Sequence, residues 1–533
     1  MSSMRRVIES DICIIGSGIS AAMIAAKLTD ERRASIVVIE AGDDQPTLPN
    51  WAANRQRWMD YGSTPWPNDH VDGLDANGIQ SRSMCVGGLA MHWGGVTPRF
   101  APEDFKTKSL CGVGYDWPLS YEELEPHYYE AEVRMGVSGE QGPREMDPRA
   151  NPFPMPPLPL TYNLGILKKW VNDAGVSMWS QPSAKNSQPY KGRGACCRND
   201  TCFPICPVGA KYSPDQTWNP LRTQKKVDLH MRTVVRRLTT DAQGRVVSAI
   251  AVERDRPGQE IEFRAKTFVV AAGYAWSAHL LLNSRDSQNP NGVANRAGLV
   301  GKYLTGHRNV QAFIDLPLTL YPGLNEQHSL VTKQFMRKPL GEKYLRHDLR
   351  VWESSVGREP RLKDEAGKVL LGDAMLADWR TRTKSGTARV RAYYDIVPAR
   401  DSELTLDATK KTPFGDPAPH LSFKDDQVSR DLRGYTEDSI RVLFDKLAKA
   451  GNGKIIRTNV DNFQDHPAGG CRMGTDASTG VVDSHGRAFG HENLFVVGAP
   501  TSVSGSCANG TLTFCALSLR SAAEIGKAFP AAK

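Results

Sequence analysis

The amino-acid sequence predicts a mixed α/β (α+β) fold, in which a parallel sheet with flanking helices carries a second, antiparallel sheet. A strand–turn–helix–strand pattern occupies residues 11–40, and further short apolar strands end in glycine or alanine near residues 273 and 499. Between residues 312 and 460 the pattern changes to alternating strands, which favours an antiparallel sheet. Because the parallel-sheet segments are far apart in sequence, that domain is assembled from distant parts of the chain.

Length and composition agree with two domains. A chain of 533 residues exceeds what one hydrophobic core usually organises, and its 40% hydrophobic and 24% charged residues are ordinary for a globular protein. The net charge of +8 is spread over 67 basic and 59 acidic residues without long runs of one sign, so we expect no nucleic-acid partner. No apolar run is long enough to cross a bilayer, so we expect the chain itself not to span a membrane.

The turn after the first strand is a candidate phosphate cradle. Residues 11–15 run into Gly16-Ser-Gly18-Ile-Ser-Ala21, and an alanine-rich helix follows. Gly16 permits the tight turn, Gly18 lets the backbone approach a pyrophosphate at the helix N-terminus, and Ala21 allows close helix–strand packing. Glu40 ends the second strand, where it can accept hydrogen bonds from a ribose. The pattern predicts a Rossmann-like dinucleotide site, for FAD or NAD, with backbone contacts from Gly16, Gly18, Ile19, Ser20 and Ala21.

The candidate chemistry lies near the C-terminal end. His466 opens the segment His-Pro-Ala-Gly-Gly-Cys-Arg-Met-Gly, and Asn509 precedes an apolar helix. A neutral imidazole can remove a hydroxyl proton near neutral pH, and an amide can orient the substrate oxygen. A lone histidine is more often structural, but here the motif, the spacing and the downstream helix agree. We therefore interpret His466 as a general base and Asn509 as its partner.

These motifs resemble those of the glucose–methanol–choline (GMC) oxidoreductase family. That family combines an N-terminal FAD cradle with a His-Pro-x-Gly-x-x-Arg-Met-Gly segment, followed by a second polar residue before a closing helix. The resemblance implies FAD as the cofactor, with a substrate domain built on an antiparallel sheet. It also implies flavin or adenine contacts from Val235, Ala272, Gly498, Ala499, Gly510 and Thr511.

A second glycine-rich loop, residues 86–95, contains Gly87, Gly88, His92 and Trp93. In the family such a loop lies beside the flavin ring. In the pyranose oxidase branch and some sugar dehydrogenases, a His-Trp pair occupies this place, and the histidine can bond covalently to the flavin. The resemblance therefore leaves two roles for His92, which are covalent attachment of FAD and simple packing or hydrogen bonding against the ring.

Four of the ten cysteines lie between positions 196 and 206. Thiols at this density predict a compact metal-binding loop, and the spacing alone also allows zinc. The segment resembles that of bacterial FAD-dependent glucose, fructose and gluconate dehydrogenases, which binds a three-iron, four-sulfur (3Fe-4S) cluster. The resemblance implies Cys196, Cys202 and Cys206 as ligands, with Cys197 as a spare or substitute.

The motifs divide the chain into five predicted segments. They are 1–150 for the first part of the FAD-binding domain, 151–195 for a substrate-domain segment, 196–311 for the iron–sulfur loop and the second FAD-binding part, 312–460 for the substrate-binding domain, and 461–533 for the C-terminal catalytic part. Within 312–460, residues 402–406 are expected to extend the substrate sheet, and a helix at 436–450 is expected to return to the FAD-binding domain.

The resemblance implies an FAD-dependent sugar dehydrogenase that oxidises a pyranose or glucoside hydroxyl at C-1 or C-3. Electrons would leave through the cluster to a cytochrome c or another acceptor. No export signal is recognised in the chain, so a small signal-bearing subunit would take it to the periplasm, with a cytoplasmic location as the alternative. Two other hypotheses remain, which are a pyranose-oxidase-like enzyme that uses oxygen and a non-catalytic electron-transfer flavoprotein.

Overall fold

The computed structural model describes residues 6–44, 52–53, 56–57, 60, 71–74, 80–198, 202, 205–320, 328–337, 346–354, 360–461 and 466–532. Two large sheets dominate this part of the chain, and each has a hydrophobic core of its own. The predicted mixed α/β fold is therefore confirmed. Parts of the cysteine-rich segment, at 199–201 and 203–204, lie outside the described residues.

The first sheet has seven strands in the order β6-β2-β1-β9-β8-β7, with β17 also pairing with β9. Its strands are β1 (Arg6–Ile15), β2 (Ile36–Ile39), β6 (Asp228–His230), β7 (Thr233–Thr240), β8 (Val246–Glu253), β9 (Arg256–Val270) and β17 (Leu494–Val496). β1, β2, β6, β9 and β17 pair in parallel, whereas β7 and β8 join them antiparallel. Strands from both ends of the chain thus meet in one sheet, as the separated motifs predict.

Three helices pack on or beside this sheet: α1 (Ile19–Glu31), α6 (Gly273–Asn283) and α9 (Thr511–Gly526). α1 begins immediately after Gly18, and its buried face is made of small residues such as Ala22 and Ala25. Small side chains let α1 lie close to the sheet and to α9, which contacts it. The close packing fixes the position of the turn before α1.

The second sheet is antiparallel and has the order β16-β10-β13-β12-β11-β5. Its strands are β5 (Trp179–Ser180), β10 (His307–Leu316), β11 (Leu330–Thr332), β12 (Leu349–Ser354), β13 (Gly386–Asp395) and β16 (Lys454–Asp461). One face is apolar and packs against α4 (Tyr162–Asp173) and α8 (Gln427–Ala450). The other face carries polar side chains, and Tyr393 on it packs into the core of the first sheet. We call this second sheet the roof.

Two assignments within residues 312–460 were wrong. Residues 402–406 do not extend the roof, because β14 (Glu403–Lys411) and β15 (Pro417–Ser422) form a separate hairpin. Leu404 and Leu421 of this hairpin are buried in the core of the first sheet. The helix expected to return to the FAD-binding domain is α8, and its Phe444 and Leu447 instead pack on the roof's apolar face.

The remaining elements connect and brace these layers. They are β3 (Val71–Leu74), β4 (Gln80–Arg82), α2 (Thr107–Cys111), α3 (Tyr121–Met135), α5 (Asp215–Thr223) and α7 (Asp373–Arg382). Glu132 of α3 is fully buried and pairs with the guanidinium groups of Arg99, at 2.9 Å, and Arg149, at 2.5 Å. No helix in the described ranges is long and apolar enough to cross a membrane.

Candidate active site

A cavity of about 790 Å³ opens where the parallel strands of the first sheet end. Residues that follow β1, β2, β9 and β17 line it, including Gly16, Glu40, Ala271 and Val497. The carboxyl ends of parallel strands are where ligands bind in open α/β sheets. This volume is large enough for a cofactor-sized molecule.

The turn before α1 forms one wall of the cavity and requires glycine at two positions. Gly16 has φ +96°, and a Cβ there would lie 2.6 Å from the carbonyl oxygen of Ala271. A Cβ on Gly18 would meet no protein atom within 4 Å, because it would project into the open cavity. Because Gly18 has no side chain, a ligand at the N-terminus of α1 can approach the backbone there closely, as a pyrophosphate requires.

Glu40 lines the cavity but also holds the turn. Its carboxylate accepts hydrogen bonds from the Ser17 amide at 3.0 Å, the Ser17 hydroxyl at 2.6 Å and the Gly42 amide at 2.8 Å. Ser17 in turn accepts a bond from the Gly87 amide at 3.1 Å. The acidic residue proposed for the ribose thus also ties the first glycine-rich turn to the second.

Most of the predicted cofactor residues line the cavity. They are Gly16, Gly18, Ile19, Ser20, Glu40, Gly87, Gly88, Val235, Ala272 and Ala499. Six others are not among the residues that line it: Ala21, His92, Trp93, Gly498, Gly510 and Thr511. Gly498 and Gly510 allow close packing instead, since a Cβ would lie 2.3 Å from the Ser20 hydroxyl and 2.5 Å from the Phe514 ring respectively.

The loop with His92 and Trp93 forms a short 3₁₀ turn at Gly88–Met91. His92 follows this turn and is buried, and the Trp93 indole donates a hydrogen bond to the carbonyl of Tyr212 at 2.8 Å. Gly88 and Ala90 of the same turn face the cavity. The loop therefore borders the cavity, but His92, the residue proposed for covalent attachment, is not among the residues that line it.

His466 and Asn509, the predicted catalytic pair, lie together. The Nδ2 atom of Asn509 is 3.2 Å from Nε2 of His466. His466 has a left-handed backbone with φ +71°, which is uncommon for a residue with a side chain. A two-way backbone pairing between Thr305 and Ala468, with both N–O distances 2.9 Å, holds the segment in place. This pairing also fixes His466 beside the start of β10.

His307, the first residue of β10, completes this group, and the sequence analysis missed it. Its Nε2 atom lies 3.2 Å from Nδ1 of His466, and its ring packs on that of Tyr393 with 4.2 Å between centroids. Burial, followed by the neighbouring His466, holds the pKa of His307 well below its usual value. His307 is therefore neutral at physiological pH and can accept a hydrogen bond.

The three side chains define the tautomer of His466. In the orientation observed, Nδ2 of Asn509 can only donate, so Nε2 of His466 is unprotonated in the neutral ring and accepts this hydrogen bond. The proton then resides on Nδ1 of His466 and is donated to Nε2 of His307. This arrangement presents an unprotonated imidazole nitrogen beside an amide donor, which is what removal of a hydroxyl proton requires.

The cysteine-rich segment lies behind the loop that borders the cavity. Cys202 and Cys206 are buried, Cys196 is half-buried and Cys197 is exposed. Cys206 packs with Cys85 and Met91 in a small separate core. In the described ranges, no three His, Cys, Asp or Glu side chains converge as ligands of a single metal ion.

A buried lysine organises the same region. Lys211 is almost fully enclosed, and its ammonium group donates to the carbonyls of Trp93 at 2.7 Å and Cys202 at 2.8 Å. Burial lowers its pKa to about 8. Lys211 thus links the cysteine-rich segment directly to the glycine-rich loop at the cavity.

Comparisons with known proteins agree with this geometry. The N- and C-terminal models of GMC oxidoreductases match residues 166–309 and 398–518. The chain is 30% identical to the fructose dehydrogenase large subunit of Gluconobacter japonicus, over 97% of this chain and 98% of that protein. It is 29% identical to paromamine 6'-oxidase of Streptomyces fradiae, over 97% and 91%.

A solved structure shares the fold. Formate oxidase superposes with a TM-score of 0.64 at 14% sequence identity, covering 99% of each chain. Identity this low supports the fold alone, whereas the family models and the full-length relatives support the family. The chain, with its separated sheet strands and its histidine–asparagine pair, belongs to the GMC oxidoreductase family and is an oxidoreductase that acts on CH–OH groups.

Proposed function

We propose that this protein is an FAD-dependent sugar dehydrogenase that oxidises a ring hydroxyl of a pyranose or glucoside, at C-1 or C-3. The observation that carries the proposal is the pairing of His466 with Asn509, backed by His307. The sugar class is supported by the full-length relative named fructose dehydrogenase large subunit. The words "large subunit" in that relative's name support the proposal that this protein is also one subunit of a larger enzyme.

The residues at the cavity fit FAD. The bare backbone at Gly18 would hold the pyrophosphate, Glu40 would meet the ribose, and Val235 would contact the adenine. Ala272 and Ala499 line the wall formed by the later strands. When bound, FAD supplies a two-electron acceptor for the hydrogen on the substrate carbon. His92 is the candidate for covalent attachment, because it directly follows the turn that borders the cavity.

The side chains of this chain account for the proton. Nε2 of His466 removes the hydroxyl proton of the substrate, while the Asn509 amide donates to the substrate oxygen and orients it. His466 then carries a positive charge, and its Nδ1–H donates to neutral His307. Because a hydrogen bond from a charged donor is stronger than one from a neutral donor, His307 stabilises the product of proton transfer.

We further propose a 3Fe-4S cluster at the cysteine-rich segment, with Cys196, Cys202 and Cys206 as ligands. Soft thiolates are the donors that such clusters use, and two of these three are buried. A cluster spans several atoms, so its ligands need not converge as the ligands of a single ion do. When bound, the cluster would pass single electrons to a cytochrome c or another acceptor. A small subunit would supply the export signal for a periplasmic location.

The catalytic part is tested by replacing His466 with Ala and following the reduction of an artificial dye by a panel of sugars and glucosides. We expect the rate to fall by about 100-fold or more, as losing a general base does. His485→Ala is the matched control, because His485 is half-buried in the same C-terminal segment and bonds to Ser484 rather than to the site. Unchanged dye reduction in His466→Ala would show that His466 is not the general base, whereas no dye reduction by the native FAD-loaded protein with any sugar would indicate a non-catalytic flavoprotein.

The cluster is tested by iron and flavin analysis of the purified protein. We expect iron in the native enzyme, and its loss with retention of FAD in Cys202→Ser. Cys111→Ser is the control, because Cys111 is half-buried in α2 outside the cysteine-rich segment. Flavin without iron, together with rapid oxygen consumption, would instead indicate a pyranose-oxidase-like enzyme.

A further inference from the structure

The polar face of the roof is rich in arginine near the catalytic histidines. Arg350 of β12 and Arg391 of β13 are direct cross-strand partners. Side chains alternate along a strand, so Arg391 and Tyr393 point to the same face, opposite to the apolar Val390 and Ala392. Both guanidinium groups therefore lie on the face that meets the FAD-binding half of the molecule.

Aromatic contacts connect these arginines to the catalytic group. The Arg391 guanidinium carbon lies 4.2 Å from the centroid of the Tyr393 ring, and that of Arg350 lies 5.2 Å from it. The same ring packs on His307, which bonds to His466. The Tyr393 ring thus lies between the two arginines and the pair of histidines.

The positive charge at this place is not balanced. Nε of Arg350 donates to Asp348 at 2.7 Å, but its Nη1 and Nη2 atoms are buried and lack a hydrogen-bond partner. Nε of Arg391 is also buried and without a partner, and no carboxylate in the described ranges lies within 4.0 Å of its guanidinium group. Two guanidinium groups therefore face one carboxylate.

Unpaired charged donors in a poorly hydrated place are unfavourable, and an anionic ligand would offset that cost. Arg350 is only 1% exposed, whereas Arg391 is partly exposed, so of the two Arg391 is the one that a ligand would contact. A guanidinium group matches the planar, two-oxygen geometry of a carboxylate. A neutral sugar could bond to the same nitrogens but would leave the charge uncompensated.

We propose that the substrate is an acidic sugar, a uronic acid or its glycoside, whose carboxylate binds Arg391 with Arg350 adding positive charge behind it. This inference rests on the proposed sugar oxidation and specifies its substrate class. The oxidised carbon remains the one whose hydroxyl faces His466 and Asn509, so the carboxylate acts only in binding. Anchoring it on the roof would orient the ring above the histidine pair.

The test compares matched substrates that differ only in the carboxylate. Dye reduction by the holoenzyme is measured with methyl glucoside and methyl glucuronide, and with galactose and galacturonate. We expect kcat/KM to be about tenfold or more higher for the acidic member of a pair, equivalent to one charge-assisted contact. Higher kcat/KM for the neutral members would overturn the proposal.

Variants of Arg391 provide the second arm. Arg391→Gln should raise KM for the uronate about tenfold with little change for the neutral sugar, and Arg391→Lys should restore part of the loss. Arg457→Gln is the control, because Arg457 is exposed on β16, the edge strand of the roof, and also packs on an aromatic ring, that of Phe313. Equal effects of Arg391→Gln on both sugars would overturn carboxylate recognition.

The two proposals fail in different ways. If neutral sugars are oxidised well and Arg391→Gln has no selective effect, only the acidic substrate class is wrong. If neither acidic nor neutral sugars reduce the FAD-loaded enzyme, sugar oxidation itself is wrong, and the substrate class is wrong with it.

Discussion

Replacing His307 with Phe is expected to slow alcohol oxidation while leaving the fold in place. His307 is fully buried, accepts a hydrogen bond from His466 across 3.2 Å and packs on Tyr393. Phe keeps the ring but has no nitrogen. The lost bond is a charge-assisted one once His466 has taken the substrate proton, so it contributes about 1.5–3 kcal/mol. That energy corresponds to a decrease in kcat of about 10- to 100-fold.

Steady-state kinetics with a dye acceptor across pH 5–9 (a range that brackets the usual histidine pKa of about 6.5) test this reasoning. Without His307, the protonated form of His466 is less stable, so the acid limb of the kcat/KM profile should move to lower pH. His307→Gln restores an acceptor oxygen and should recover part of the rate. FAD content and thermal unfolding serve as controls for folding. A fall in kcat with no movement of the acid limb would refute the role and leave His307 as a packing residue.

Three further predictions concern the cofactor, the core and acid stability. Gly18→Val should leave the purified protein largely without FAD, because its side chain would enter the cavity; Gly258→Val, at an exposed position with equal space, should retain flavin by absorbance. Glu132→Gln should lower the free energy of unfolding in urea by about 3–5 kcal/mol, because it removes the carboxylate paired with buried Arg149 and leaves buried Arg99 only Glu125; a loss below about 1 kcal/mol would contradict this. Burial lowers the pKa of His347 from 6.5 to about 4. The unfolded chain therefore binds a proton below pH 6.5 that the folded protein does not, and stability is lost as pH falls from 6.5 to 4. His347→Phe should flatten this dependence by about 3 kcal/mol in urea unfolding followed across that range, and an unchanged slope would contradict the assignment.

The cofactor cradle could be predicted because its signals are local. The turn from Gly16 to Ala21 follows a buried strand and precedes a helix, and each residue type has a steric reason that neighbouring residues supply. The pairing of His466 with Asn509 could also be predicted, since both belong to a motif with fixed spacing. These are features for which the sequence near a residue determines its surroundings.

His307 could not be predicted in the same way. Its position beside His466 depends on the pairing of Thr305 with Ala468, two residues that are far apart in the chain. The residues next to His307 in the sequence do not indicate that it will lie beside His466. The available signal was that a titratable residue opens a strand in which apolar residues alternate with polar ones.

The hairpin β14–β15 and helix α8 show a second limit. Alternation in β14 and the amphipathic pattern in α8 each indicate one buried face, but a pattern does not state which of two cores that face joins. Leu404 joins the core of the first sheet and Phe444 the core of the roof, the reverse of what was expected. With two cores in one chain, the partner of a buried face is decided by tertiary packing.

The two faces of the roof separate the demands of folding from those of substrate choice. Val310, Val351 and Val390 on the outer, apolar face pack against the helices, while residues that alternate with them, among them Arg350 and Arg391, lie on the inner face, which meets the FAD-binding half of the molecule and on which we place the substrate. A substitution on the inner face can therefore alter which alcohol is accepted without removing a side chain from the outer core. The catalytic pair lies on other segments and would stay in place. Such a sheet is suited to the evolutionary exchange of substrates, and to laboratory redesign by changing every second residue.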